Sequence, residues 1–270
     1  MMPWIGLAPL DNVHMGTLEQ WVQYRREQGV KAATINHGMK IVRRILNLAA
    51  TEWVDDHGLS WIAHAPKIRL LPISDQRRPY PLSWEEQDRL FRELPRHLAD
   101  MALFAVNTGC RDSEICQLRW DWEVAVSELN TSVFIIPGEH VKNSEDRLVA
   151  LNRIAQSIID AQRGKHRTHV FTFRGGPIKR MLSNGWRAAR QKAHLPQVRV
   201  HDLKHTFGRR LRAAGVSFED RQDLLGHRSG RITTHYSAAE LSHLIEAANR
   251  VCDRGQGRPQ LVVLRRLSVA

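Results

Sequence analysis

Cysteine is scarce in this 270-residue chain, and long apolar runs are missing from it. Cys110, Cys116 and Cys252 form no C-x-x-C pair, which excludes a disulfide framework and disfavours a structural zinc site. No apolar run approaches the roughly 20 residues that a membrane-spanning helix needs. The first residues lack the basic flank and long apolar core of a signal peptide. We therefore expect a cytoplasmic protein with reduced thiols, without a metal and without a membrane partner.

Acidic residues are outnumbered by basic ones, 28 against 40, which gives a formal net charge of +12. Apolar residues make up 42% of the chain and charged residues 25%, which excludes wholesale disorder. A strongly basic balance favours a polyanionic partner, and nucleic acid is the commonest one. A basic protein with no such partner remains the alternative at this point.

The beginning of the chain has a helical pattern. Apolar residues recur at steps of four and three from Ile35 to Trp53, which places them on one helix face. We expect Thr34 to cap this helix, Gly29 to end the helix before it, and helical structure to reach His57. Three basic residues fall away from the apolar stripe and are candidates for phosphate contact or for simple solvation: Lys40, Arg43 and Arg44.

Prolines and charges without periodicity follow, and they predict an extended linker at residues 71–82. Arg77 and Arg78 in this linker are further candidates for contact with a polyanion. Ser83 and Glu86 have the spacing of a capping box, which predicts that a new helix opens at residue 84. Beyond it we predict helices at 84–94, 97–108 and 111–119, strands at 124–126, 132–136 and 147–151, and then helices interrupted at 174–177.

The second region carries the side chains that phosphodiester chemistry needs. They are an arginine, two lysines, two histidines and a phenol: Arg111, Lys142, His201, Lys204, His227 and Tyr236. Arginine and lysine donors offset the charge that non-bridging phosphate oxygens gain in the transition state. A lysine on a turn can protonate the leaving oxygen, and a tyrosine can hold the phosphate covalently. Such a site needs neither a metal nor a nucleotide cofactor.

These residues resemble the pattern of the tyrosine recombinase, or phage integrase, family. That pattern is an arginine, a lysine on a β-hairpin, H-x-x-R, a glycine–histidine step, and a tyrosine nine residues further on. The matching positions here are Arg111 with Glu114, Lys142, His201-x-x-Lys204, Gly226-His227 and Tyr236. The resemblance covers about residues 84–250, and residues 17–62 look like the family's helical core-binding domain. A single motif would be weak evidence, but five in register are specific.

The resemblance implies a mainly α fold with a small three-stranded antiparallel β-sheet, arranged as a two-domain DNA clamp. A helical core-binding domain would occupy residues 1–70 and an integrase-like catalytic domain residues 83–253, joined by the linker at 71–82 and followed by a tail at 254–270. The chain would begin close to, or inside, the core-binding domain, without a separate amino-terminal DNA-binding arm.

The resemblance also implies roles for individual residues. Arg111, His201 and His227 match positions that bind phosphate and handle protons. Lys142 matches the general acid. Tyr236 matches the nucleophile that becomes linked to a DNA 3′-phosphate. For Arg111 alone, a simple ion pair is the competing interpretation, and for His205, close to His201, we favour packing.

Two further positions complete this comparison. Glu114 matches a residue that orients Arg111. Lys204 stands where the family has a second arginine, and His201 and Lys204 share one face of the predicted helix. We expect the Lys204 ammonium to reach a non-bridging phosphate oxygen, although lysine lacks the planar, two-pronged donor of arginine.

The implied function is site-specific recombination of double-stranded DNA, which integrates or excises a prophage or another mobile element. A homotetramer on DNA would act, together with accessory DNA-bending or directionality proteins. The alternatives are a type IB topoisomerase-like activity and a catalytically impaired DNA-binding relative. An apolar stripe from Leu241 to Val251 is expected to dock on a neighbouring protomer, with packing on its own domain as the alternative.

Overall fold

A computed structural model describes residues 1–74, 77–226 and 237–252. The chain divides into two compact units, one from Met1 to Arg78 and the other from Pro79 onward. Within the ranges described, no helix combines the length and the apolar composition that crossing a membrane requires. The domain boundaries and roles suggested by the sequence stay predictions.

The described part of the first unit contains three α-helices: α1 (Met2–Ile5), α2 (Met15–Glu27) and α3 (Ala32–Thr51). Gly29 follows α2 in the left-handed conformation, with φ of 70°, and its N–H returns to Arg26 O at 2.8 Å. The prediction that Gly29 ends this helix is confirmed, because glycine adopts that conformation without a steric penalty.

Both predicted ends of α3 were wrong. Thr34 is not the cap, because Lys31 already takes the N-cap position and the N–H of Thr34 donates to Lys31 O at 2.9 Å. The helix stops at Thr51 rather than continuing to His57. The Asp55 carboxylate accepts the backbone N–H groups of His57 and Leu59, and this local turn replaces the helical hydrogen bonds there.

The predicted apolar face of α3 forms the core of the first unit as far as Ala49, together with side chains of α2. Ile62 and Ile68 are buried against the same cluster. Asn36 on α3 binds both backbone groups of Leu71, one through its amide nitrogen and one through its amide oxygen, each at 2.8 Å. The chain after α3 is therefore packed back onto this helix as far as Leu71.

The described part of the second unit is mainly α-helical with two small sheets. Its elements are α4 (Trp84–Glu93), α5 (Arg96–Thr108), α6 (Asp112–Cys116), β1 (Glu123–Val126), β2 (Thr131–Ile136), β3 (Arg147–Ala150), α7 (Arg153–Gln162), β4 (Thr172–Phe173), β5 (Gly176–Pro177), α8 (Asn184–Lys192), α9 (Val200–Ala213), α10 (Phe218–Leu225) and α11 (Ala238–Asn249). The capping box that opens α4 is present as predicted, with Ser83 and Glu86 bonded to each other's backbone.

The predicted three-stranded antiparallel sheet is confirmed, in the order β1-β2-β3. Strands β4 and β5 form a second, two-stranded sheet where only an interruption of helices was expected. Arg174 and Gly175 turn between these strands, both with positive φ. Strands of two residues are too short to give the alternating pattern by which a sequence reveals a strand.

Helix α6 is shorter than the predicted 111–119. It ends at Cys116 because the next segment pairs with a distant part of the chain: the Val170 N–H donates to Leu118 O, and the Trp120 N–H donates to Thr168 O, each at 2.9 Å. Tertiary hydrogen bonding has therefore overridden the local helical pattern.

Helix α5 packs against α7 and α9 in the main core of the second unit. Helix α9 is also hydrogen-bonded to the segment with which the second unit begins. The N–H of Tyr80 donates to Asp202 Oδ1 and the N–H of Leu82 donates to Thr206 Oγ1, each at 3.0 Å. Asp202 and Thr206 are one turn apart, so one face of α9 holds the entering segment.

The apolar stripe of α11 is buried within its own unit. Leu244, Ala248 and Val251 are at most 4% exposed and cluster with Phe207 and Leu211 of α9. The alternative of packing on its own domain thus accounts for the stripe in the described residues, and docking on a neighbouring protomer stays a prediction. Hydrophobic periodicity identifies a face that must be covered but not the chain that covers it.

Candidate active site

Arg111 lies at the start of α6, directly after the turn that ends α5. Gly109 makes this turn with φ of 63°, and a Cβ there would lie 2.8 Å from the Phe207 ring, so no side chain is tolerated. The N–H of Arg111 donates to Oε2 of Glu114 at 2.7 Å, and its Nη1 donates to Oε1 at 2.6 Å. The Arg111 side chain is 21% exposed, so the ion pair orients the guanidinium and leaves it accessible.

Glu114 is buried between Arg111 and a second arginine, Arg147, whose Nη1 donates to Glu114 Oε2. Burial by itself would raise the pKa of the Glu114 carboxyl. The charge of Arg147, and the hydrogen bonds and charge from Arg111, outweigh burial and hold this pKa below its ordinary value. Glu114 is therefore an ionised, buried carboxylate that links two guanidinium groups.

Arg147 is a part of this arrangement that sequence reasoning missed. It opens strand β3, and an arginine at the start of a short strand is usually exposed. Here it is 3% exposed. Its partner Glu114 is 33 positions away in the sequence, so no local spacing reveals the pair.

His201 lies in the first turn of α9, exposed, with its ring 4.7 Å from the ring of His205 in an edge-to-face contact. Partial burial lowers the pKa of His201, and the charges of His205, Lys204 and Arg111 lower it further. Lys204, three residues after His201 on α9, bonds the carbonyl of Gly109, two residues before Arg111, so α9 meets the start of α6 here although the two are far apart in the sequence.

Lys204 differs from its expected position. Its side chain is buried, and Nζ donates to the backbone carbonyls of Gly109, at 2.8 Å, and Leu225. Burial, with the guanidinium groups of Arg147 and Arg111 close by, lowers the pKa of Lys204 to about 7. The ammonium is therefore directed at two turns of the protein's own backbone.

Lys142 lies on the loop between β2 and β3, as the hairpin prediction required, and its side chain is exposed. The residues before it are anchored. Val141 is buried in the main core, and the ring of His140 lies 4.9 Å from that of Trp122. Gly138 N–H donates to Asp146 Oδ1 at 2.8 Å and closes the base of the loop. An exposed lysine side chain thus extends from a fixed loop.

His227 and Tyr236 lie outside the described residues. Helix α10 ends at Gly226, which is left-handed with φ of 58° and directly precedes His227 in the sequence. The described chain resumes at Ser237, next to Tyr236 in the sequence, where Ser237 and Glu240 cap α11. The roles predicted for His227 and Tyr236 stay predictions.

In the first unit, Lys40, Arg43 and Arg44 are exposed on α3, away from the buried face, as the periodicity predicted. Arg78 is exposed and Arg77 is partly buried. Contact of these residues with a polyanion stays a prediction. Among the described residues, no three His, Cys, Asp or Glu side chains are grouped as a metal site requires.

The second unit thus presents an oriented arginine next to an accessible histidine, on a helical framework with a small antiparallel sheet. This is a set of groups suited to binding a phosphodiester. The family model described as "Phage integrase family" matches residues 82–243, and the chain belongs to that family.

Individual relatives agree with this assignment. The chain is 28% identical to the integrase of Salmonella phage P22, over 79% of this chain and 56% of that protein. It is 25% identical to the shufflon-specific DNA recombinase of Escherichia coli, over 84% of this chain and 57% of that protein. The chain thus spans little more than half the length of these two relatives.

A solved structure agrees in fold. The crystal structure of the XerH site-specific recombinase bound to palindromic difH substrate, a post-cleavage complex, superposes with a TM-score of 0.62 at 20% identity. The match covers 87% of this chain and 70% of that one. The mainly α integrase fold with its small antiparallel sheet is therefore the fold of this chain.

Proposed function

We propose that this protein is a site-specific DNA recombinase that cleaves and rejoins strands through a 3′-phosphotyrosyl intermediate on Tyr236. The observation that carries the proposal is the group formed by Arg111, its buried carboxylate Glu114 and His201, within a unit of integrase fold. In this proposal Arg111 and His201 hold the non-bridging oxygens of the scissile phosphate, where charge develops during the reaction.

The proposed reaction needs no external energy source. The Tyr236 phenol passes its proton to His201 as its oxygen attacks phosphorus, the bond to the 5′-oxygen breaks, and Lys142 gives its proton to that oxygen, which leaves as a 5′-hydroxyl. A 5′-hydroxyl of another strand then gives its proton to Lys142 and attacks the phosphotyrosine, and His201 returns the proton to the phenol that is released. His227 would assist with phosphate binding and proton transfer. The exposed position of Lys142 on an anchored loop is compatible with the general-acid role.

The proposed substrate is double-stranded DNA, held between a core-binding first unit and a catalytic second unit. The net charge of +12 and the exposed basic residues of α3 support it. Recombination would take place in a homotetramer that joins two duplexes, with accessory DNA-bending or directionality proteins. The biological role would be integration or excision of a prophage or another mobile element.

A covalent trapping experiment tests this proposal. The protein is incubated with a library of nicked duplexes of random sequence, in which loss of a short 5′ fragment after cleavage prevents resealing. We expect a covalent protein–DNA adduct enriched in one sequence, joined through Tyr236 to the 3′-phosphate. Tyr236→Phe should bind DNA and give no adduct, because it lacks the nucleophilic oxygen.

Sequencing of the trapped ends separates the alternatives. Adducts spread over unrelated sequences, with relaxation of plasmids that carry no special site, would indicate a type IB topoisomerase. DNA binding by the parent chain without any adduct would indicate a catalytically impaired relative. An adduct that persists in Tyr236→Phe would show that another residue is the nucleophile.

A further inference from the structure

Two helices of the second unit end at the same place. Helix α5 is followed by Gly109 and α10 by Gly226, both in the left-handed conformation. The last carbonyls of a helix lack partners within the helix and carry the negative end of its dipole. Two buried basic side chains, Lys204 and Arg147, lie against these carbonyls.

These two side chains join the two helix ends to each other. Nζ of Lys204 donates to Gly109 O, at 2.8 Å, and to Leu225 O. Nη2 of Arg147 reaches Gly109 O at 3.1 Å and Leu224 O at 3.4 Å. Arg147 also reaches Thr108 O at 3.4 Å. Each side chain thus bonds the end of α5 and the end of α10, and the two share the carbonyl of Gly109.

The side chain of Arg147 is closely packed against the turn that follows α10. A Cβ at Gly226 would lie 2.6 Å from Nε of Arg147, so the left-handed turn packs directly on this guanidinium. Nη1 of Arg147 is bonded to Glu114, which also holds Arg111. Arg147 therefore contacts the turn before Arg111, the carboxylate that orients Arg111, and the turn before His227.

Lys204 has little donor capacity left for a substrate. A protonated lysine has three N–H donors and a neutral one has two, and two are used by backbone carbonyls. Lys204 is 5% exposed, whereas the side chain of Arg111 is 21% exposed. A phosphate bound at Arg111 therefore meets the guanidinium before it could meet the Lys204 ammonium.

We propose that Lys204 and Arg147 are positioning residues, which hold the turn before Arg111 against the turn before His227, and that Lys204 does not bind the scissile phosphate. The inference rests on the proposed function, because it assigns roles within that active site. It replaces the expectation that Lys204 donates to a non-bridging oxygen, and it gives Arg147 a role.

Single-turnover cleavage of two substrates tests this inference. Both carry the sequence found by covalent trapping, and one has a methylphosphonate at the scissile position, where a methyl group replaces a charged non-bridging oxygen. A side chain that neutralises that charge loses most of its benefit on the neutral substrate. Lys204→Met should slow cleavage about 100-fold through misplacement of the site, and by a similar factor on both substrates.

Arg111→Ala is the matched control, since Arg111 is placed against the phosphate. Its defect should shrink at least about tenfold on the methylphosphonate. A Lys204→Met defect that shrinks with it would overturn the inference. Cleavage by Lys204→Met at the parent rate on both substrates would also overturn it. The parent protein must first form the covalent adduct. If it does not, the proposed function fails, and this result is distinct from a failure of the present inference.

A second measurement does not depend on the neutral substrate. Lys204→Met and Arg147→Met are combined, and cleavage of the ordinary phosphate is compared with that of each single variant. Because both side chains hold the same two turns, the double variant should be at least about tenfold faster than independent effects predict. Independent effects would contradict the inference. If Lys204→Met does not fold, Lys204→Gln, which keeps a neutral donor, takes its place in both experiments.

Discussion

The carboxylate of Glu114 illustrates how strongly one buried charge is tied to its surroundings. It is 1% exposed and bonds two guanidinium groups. Glu114→Gln keeps the shape and removes the charge, so the charge of the buried Arg147 is no longer balanced. We expect the free energy of unfolding at neutral pH to fall by about 3–5 kcal/mol, the usual result of breaking a buried pair. Denaturant titration measures it, with the exposed Glu128→Gln as a control that should stay within about 0.5 kcal/mol.

The stability difference between the parent and Glu114→Gln should also depend on pH. Because the folded-state pKa of Glu114 lies below its ordinary value of 4.5, the folded state binds this proton less tightly than the unfolded state does. The stabilisation is therefore fully present above about pH 4.5 and is lost as the pH falls through the lower folded pKa. The difference in unfolding free energy between the parent and Glu114→Gln should narrow below pH 4.5. A constant difference down to pH 3 would contradict this assignment.

Single residues also show what the sequence can and cannot reveal about the site. Arg111 and Glu114 are three positions apart on one helix start, so their pairing was predictable from spacing and from the family pattern. The burial of Lys204 was not, because its acceptors Gly109 and Leu225 are 95 and 21 positions away. Residue type and order indicated which groups the site contains, whereas the direction of each side chain depends on packing between distant elements.

At the scale of elements, α9 has two different faces. His201 is exposed, while Asp202 and Thr206 hold the entering segment at Tyr80 and Leu82. Thr206→Val should leave the Leu82 N–H without its acceptor and lower the unfolding free energy by about 1–3 kcal/mol. Thr206→Ser keeps the hydroxyl and should cost less. Equal losses for the two variants in thermal or denaturant unfolding would show that the methyl group contributes as much as the hydrogen bond.

Helix α11 gives a second prediction at this scale. Leu244 is 4% exposed in the cluster that α11 shares with α9 and α10. Leu244→Ala should lower the unfolding free energy by about 2–5 kcal/mol through loss of burial and creation of a cavity. His243→Ala removes only an exposed side chain that bonds Asp220 of α10, and it should change stability by less than about 1 kcal/mol. A stable Leu244→Ala protein that fails only in tetramer assembly would instead favour docking between protomers.

Elements were predictable where one periodic pattern or one capping motif determined them. The capping box at Ser83 and the short β-like run at 132–136 indicated structure that is present. The end of α6 depends on pairing with residues 168–170. Which surface packs on the apolar face of α11 depends on the whole fold. Long-range contacts therefore account for most of the differences between expectation and structure.

For the whole molecule, the excess positive charge leads to a prediction about salt. If the chain neutralises several phosphates together, log affinity for duplex DNA should fall with log salt at about −0.9 per phosphate contacted. A slope shallower than about −2 would be hard to reconcile with DNA held by both units. The measurement is a fluorescence anisotropy titration with a fixed duplex at several salt concentrations.

A matched pair of triple variants tests which basic residues contribute to the salt dependence of DNA binding. The first replaces with alanine the exposed basic residues of α3: Lys40, Arg43 and Arg44. The second replaces an equal number of exposed basic residues that no prediction singled out: Lys165, Arg167 and Lys192. The first should make the slope shallower by about 0.9 for each phosphate that is no longer neutralised, and the second should change it less. Equal changes would show that net charge alone matters.

The reciprocal amide contact of Asn36 with Leu71 limits the length of chain that joins the two units. The first unit holds the chain at Leu71, the second holds it at Tyr80, and only nine positions separate these anchors. A segment of that length spans at most about 30 Å when fully extended. Under the proposed function, a unit that dissociates from DNA therefore stays tethered to the other, at an effective concentration of the order of millimolar, and rebinding competes with escape. Under the proposed function, either unit alone can be weak while the intact chain stays on one site long enough to react.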